Sequence, residues 1–150
     1  MTTRELFIAG RWVPSLTRDY AEVRDPANGE LVGATAVAGA ADVDAAVTAA
    51  LAAGPAWAAL PAVDRGAILR GAADLIDERI GDIAEVLTRE QGKPLADSRK
   101  EIAFAAIVLR YYAEEGPRVG GTIRPTQRAD IRSMVTWAPI GVVGAIVPRN

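Results

Sequence analysis

The spacing of apolar residues changes once along the chain, near residue 42. Before that point, short apolar segments flank turn residues in LFIAGRWV (6–13) and in YAEVRDPANGELVGATAV (20–37). Gly and Pro set the dihedral angles that a tight reversal needs. We therefore predict two β-hairpins at the start of the chain.

From Asp42 onward the apolar residues recur at helical spacing. The first predicted helix begins there and ends near Gly54-Pro55, and a second begins at Pro61, because proline suits the first helical position. A third helix ends at Gly92-Lys93-Pro94. The second helix is expected to bury one apolar stripe, formed by Ile68, Ala72, Leu75, Ile76 and Ile80.

A fourth helix is predicted from about Asp97 to Glu115, with Ser98 and Glu101 as a capping box at its start. Its apolar residues form two faces, and a helix that is apolar on two faces is expected to be buried on both. One face contains Ile102, Ala105, Ala106, Leu109 and Ala113, and the other contains Phe104, Ile107, Val108 and Tyr111.

Two strands are predicted after the helices, over Ile131–Trp137 and Ile140–Val147. The second is a continuous apolar run, which is typical of a parallel strand covered on both faces. Its partner strands are not found in these 150 residues, so we expect the chain to represent a longer protein cut short. An unpaired apolar strand of this kind also favours aggregation.

Composition excludes several classes of function. Half of the residues are apolar, the net charge is −2, and the sequence contains neither cysteine nor histidine. The pI is about 5.2 without a basic patch, so nucleic acid is not an expected partner. Without a secretory signal or a long apolar run, we expect a cytoplasmic protein that does not engage a membrane. Thiol and imidazole catalysis are excluded within these residues.

Several segments, in this order, resemble the N-terminal part of the NAD(P)-dependent aldehyde dehydrogenases. They are LFIAGRWV, DPANGELV, ADVDAAVTAALAAGPAWAALP, REQGKPL, YYAEEGPRVGG and APIGVVGAIVPRN. The resemblance implies an α/β fold that begins with hairpins and a four-helix region. It also implies that residues 1–123 belong to the cofactor-binding domain, 124–139 to an oligomerisation ribbon, and 140–150 to the first strand of a Rossmann-like sheet.

The resemblance also implies where the site lies. Asn150 would donate its side-chain amide to the substrate oxygen, while Ile146, Val147, Pro148 and Arg149 would contact NAD or NADP, largely through their backbone. In an open α/β sheet, ligands bind beyond the carboxyl ends of the strands, which agrees with this placement. Arg149 departs from the family pattern, which usually has an aromatic residue there.

The implied reaction is oxidation of an aldehyde, possibly a semialdehyde, to a carboxylic acid by a homo-oligomer that associates through Ile131–Trp137. A cysteine thiolate attacks the aldehyde, hydride passes to the nicotinamide, and a glutamate-activated water releases the acid. Cysteine is absent and the glutamate would lie downstream, so we expect the 150-residue chain to be inactive alone. The alternative is a non-catalytic helical module, derived from the family, that acts in binding or assembly.

Overall fold

The computed structural model describes residues 3–147, and this part of the chain has an α/β fold. The strands are β1 (Thr3–Arg4), β2 (Leu6–Ile8), β3 (Arg11–Val13), β4 (Tyr20–Arg24), β5 (Leu31–Ala36), β6 (Thr122–Arg124) and β7 (Ser133–Val135). The helices are α1 (Ala40–Ala59), α2 (Ala62–Glu78), α3 (Ile80–Gln91) and α4 (Leu95–Glu115), and a 3₁₀ turn follows at Gly116–Arg118.

Both predicted hairpins are confirmed. Strands β2 and β3 pair antiparallel across a turn in which Ala9 and Gly10 have φ of 53° and 77°. Positive φ at both central residues matches the twist of the two strands. Phe7 and Trp12 lie opposite each other on this hairpin, with ring centroids 5.0 Å apart.

The second hairpin, formed by β4 and β5, belongs to a three-stranded sheet in the order β1-β5-β4. Strand β1 pairs parallel to β5, with Thr3 opposite Ala34 and Arg4 opposite Thr35. The sequence did not indicate β1, because two residues show no alternation of apolar and polar positions. The parallel pairing brings Arg4 to the side of the sheet, where it lines a groove beside α3.

Helix α1 is anchored at its N-terminus by a buried carboxylate. Asp42 accepts hydrogen bonds from the backbone N–H of Gly39 (2.9 Å) and of Leu16 (3.1 Å), and thereby joins the helix to the segment after β3. The predicted end near Gly54-Pro55 was wrong, because α1 continues through Pro55 to Ala59. Proline leaves one carbonyl in the preceding turn without its helical partner. That turn is exposed, so water can satisfy the carbonyl.

The core of the helical region is built from small residues. Ala73, Ala84, Ala106 and Ala113 are at most 1% exposed, and they lie on α2, α3 and α4. Small side chains let helix backbones approach closely. At Gly66 of α2, a Cβ would lie only 2.7 Å from the carbonyl oxygen of Ala113.

The predicted buried stripe of α2 was partly wrong. Ile68 and Leu75 are 54% and 50% exposed, while Gly66 and Ala73 are the buried positions. The helix is oriented so that its small residues face α4, and at Gly66 the backbones of the two helices approach closely. Apolar spacing alone does not distinguish the two orientations.

The predicted capping box of α4 was also wrong. The helix begins at Leu95, directly after Pro94, so Ser98 lies inside the first turns and is fully buried. The end of α3 at Gly92 is confirmed, since this glycine has φ of 74° in the left-handed region. Pro94 follows so soon that α4 starts before Asp97 is reached.

The chain after α4 has little regular structure. Strands β6 and β7 form an antiparallel ribbon in which Ile123 lies opposite Met134. Its first strand begins at Thr122, and its second occupies only the middle of the predicted 131–137 strand. Residues 140–147 form no strand in this structure. A strand requires hydrogen-bonded neighbours, and no strand of the described part pairs with this run.

Candidate functional site

Two of the predicted site residues lie in the described part of the chain. Ile146 and Val147 are 102% and 80% exposed, at the end of the extended apolar run. Pro148, Arg149 and Asn150 lie outside the described residues. The run therefore presents its backbone and side chains to solvent at the position where the site is predicted.

The ribbon connects this run to the helical region. The indole N–H of Trp137 donates to the carbonyl oxygen of Gly120 (2.9 Å), which lies just after the 3₁₀ turn that follows α4. Gly141 has φ of 110°, a conformation that L side chains rarely adopt. The apolar run at 140–147 thus contains a position near its start that favours glycine. The hydrogen bond from Trp137 holds the chain just before this run against Gly120.

The REQGKPL motif (89–95) forms the junction between α3 and α4. The hydroxyls of Thr88 and Ser98 share a hydrogen bond of 2.8 Å, and Lys93 forms an ion pair with Glu101. The Lys93 and Glu101 side chains are only 22% and 30% exposed. These four polar groups satisfy one another inside the protein, so their contacts hold the start of α4 against the end of α3.

A groove of about 570 Å³ lies beside α3, and sequence analysis did not indicate it. Arg4, Arg79, Asp82 and Glu90 provide its charges, and its floor is apolar. Only the pairing of β1 brings Arg4 there, so no local pattern could have revealed the groove. Two positive and two negative groups cancel in net charge, and the lining contains no hydroxyl, thiol or lysine amine.

The pKa shifts lie on the surface of the folded region. The Tyr20 hydroxyl donates to Glu5 (2.9 Å), and this hydrogen bond to a carboxylate raises the pKa of Tyr20. Hydrogen bonds to Asp74 and Asp77 raise the pKa of Arg110, and the bond to Asp74 has the larger effect. Both clusters tie elements together, and Arg110 in particular links α4 to α2.

Residues 3–147 contain no group of three or more acidic side chains placed to hold a metal ion. Within the same range, no single helix is long and apolar enough to cross a membrane. Helices α1 and α2 are long and apolar enough only when taken together, and the chain bends by 120° between them.

The described residues form an α/β architecture in which hairpins precede a layer of helices. Comparison with known sequences specifies the class further, because a model of the aldehyde dehydrogenase family matches residues 12–150. The chain belongs to the aldehyde dehydrogenase family.

Curated relatives include enzymes that act on semialdehydes. Succinate-semialdehyde dehydrogenase [NADP(+)] GabD of Escherichia coli is 42% identical over 147 residues, which cover 98% of this chain and 30% of that enzyme. Alpha-ketoglutaric semialdehyde dehydrogenase of Bacillus subtilis is 41% identical, and the match covers 96% of this chain and 30% of that enzyme. The chain thus spans about 30% of the length of these curated relatives.

Solved structures share the fold. An NADP-dependent enzyme of E. coli superposes with a TM-score of 0.86 at 39% identity, over 88% of this chain and 27% of that one. Succinate-semialdehyde dehydrogenase from Burkholderia pseudomallei gives a TM-score of 0.83 at 43% identity, over 86% of this chain and 27% of that one. The resemblance stated from the sequence is confirmed for family and fold.

Proposed function

We propose that this chain supplies the N-terminal part of a subunit that oxidises an aldehyde to a carboxylic acid with NAD or NADP. The supporting observation is the match to the E. coli enzyme, which extends over 98% of this chain at 42% identity. The family match also runs through residue 150, and so includes the asparagine with the proposed role.

Asn150 is proposed to donate its side-chain amide to the aldehyde oxygen. Attack by a nucleophile places negative charge on that oxygen, and a fixed donor stabilises the charge as it develops. An amide donates at any pH, because it carries no titrating proton. The chain has no cysteine, so the proposed nucleophile lies outside these 150 residues.

Ile146, Val147, Pro148 and Arg149 are proposed to contact the dinucleotide, which accepts the hydride when bound. Of these, Ile146 and Val147 are described, and both are open to a ligand because they are exposed. In the complete subunit, residues 140–147 are proposed to become the first strand of the cofactor-binding sheet. Ligands of such sheets lie beyond the carboxyl ends of the strands, where Asn150 follows in sequence.

The proposed substrates are aldehydes with a carboxylate at the far end. This class follows from the names of the relatives, which act on succinate semialdehyde, glutarate semialdehyde and alpha-ketoglutaric semialdehyde. A buried site that pairs the carboxylate favours such substrates over neutral aldehydes of equal length. For the complete subunit that contains this chain, we expect kcat/KM to be at least ~10-fold higher with succinate semialdehyde than with butanal.

A chimera tests the activity. This chain replaces the matching segment of the E. coli semialdehyde dehydrogenase, and formation of reduced cofactor is followed with succinate semialdehyde. We expect activity in the chimera and none in the isolated 150-residue chain. A folded chimera without activity, or an isolated chain that oxidises the aldehyde, would contradict the proposal.

Asn150→Ala in the chimera tests the role of the amide. We expect kcat to fall by a factor of roughly 10² to 10³. The matched control is Asn28→Ala, at the only other asparagine of the chain. Its side chain accepts the backbone N–H of Glu30 (2.9 Å) in the exposed β4–β5 turn, so kcat should not change.

The ribbon of β6 and β7 is proposed as a contact between subunits of a homo-oligomer. Ile123, Met134 and Trp137 are 70%, 72% and 75% exposed, and a two-stranded ribbon is only marginally stable alone. We expect Met134→Lys in the chimera to lower its mass in solution, measured by light scattering. An unchanged mass would contradict this contact.

A further inference from the structure

We draw no further inference here: the strongest candidate, the groove beside α3 in which four exposed charged side chains surround an apolar floor, carries no proposal because nothing in the structure shows what covers it.

Discussion

The helical region α2–α4 and the described chain after it are both rich in apolar residues, but only the helical region has fully buried positions. In the helices, Ala73, Ala84 and Ala106 are at most 1% exposed. After them, Ile140 and Ile146 are 93% and 102% exposed. A helix satisfies its own backbone hydrogen bonds and needs only a neighbour for one face, whereas a strand needs neighbours for its backbone as well.

The difference shows that an apolar run does not by itself create a core. The three helices lie within about 55 residues of sequence, so each of them finds a packing partner inside this chain. The run at 140–147 requires strands that these 150 residues do not contain. The helical region is thus expected to provide the stability, and the following segment to provide little.

The largest difference is expected when an apolar residue is replaced by Asp in each of the two regions. Ala106→Asp places an unpaired carboxylate in the helical core and should lower the free energy of unfolding by about 3 kcal/mol or more. Ile140→Asp should change it by no more than about 0.5 kcal/mol, because that side chain is already in solvent. Urea denaturation followed by circular dichroism measures both. Equal losses would show that the two regions are equally packed.

Gly66→Ala tests the close approach of α2 and α4. The added Cβ would lie 2.7 Å from the carbonyl oxygen of Ala113, so the helices must separate, at a cost of about 1–3 kcal/mol. Gly71→Ala, on the same helix, meets nothing within 4 Å and should gain up to about 1 kcal/mol from helix propensity. Stabilisation by both changes in thermal denaturation would disprove the close approach.

Gly92→Ala tests how the β4–β5 turn supports the end of α3. Gly92 has φ of 74°, and a Cβ there would lie 2.6 Å from Cγ of Pro26. Gly29→Ala is the control, because Gly29 has φ of 77° and an added Cβ meets nothing within 4 Å. Each change should cost about 1–2 kcal/mol in strain.

The contact with Pro26 should add about 1 kcal/mol to the loss for Gly92→Ala. Pro26→Ala combined with Gly92→Ala should recover this additional part in a double-mutant cycle. A coupling of zero would mean that the turn does not contact the end of α3.

The smallest effect is a pH dependence in the loop of the ribbon. A hydrogen bond from Arg128 lowers the pKa of Asp130 below its ordinary 3.8. At pH values above the pKa of Asp130 in the unfolded chain, the ionised carboxylate stabilises the folded loop. This contribution is lost as the pH falls through the lower pKa that Asp130 has in the folded loop. Arg128→Gln should raise the pKa of Asp130, measured by NMR titration of its carboxyl carbon. An unchanged titration would show that the pair does not form in solution.

Local signals in the sequence explain which elements were predicted correctly. The two hairpins are encoded by turn residues such as Gly10 and Gly29, whose φ of 77° is accessible to glycine at little cost. Gly92 ended α3 as predicted for the same reason. The family resemblance also rests on local motifs, and the match over residues 12–150 confirms it.

The errors arose where a pairing was distant in sequence or where two local signals competed. Strand β1 exists only because β5, about 30 residues away, pairs with it. Ser98 has the sequence of a helix cap but is buried against Thr88, since the start of α4 is set by Pro94. The roles of Ile146, Val147, Pro148, Arg149 and Asn150 stay predictions, because they come from resemblance and not from described geometry.

The sequence by itself determined the hairpins, the four helices and the family, because turn chemistry, helical spacing and motif order act over a few residues. The tertiary structure alone decided which face of α2 is buried and where Arg4 lies. It also decided that the apolar run at 140–147 stays unpaired among residues 3–147. These features depend on which distant surfaces meet, and the pattern of apolar residues is compatible with more than one arrangement.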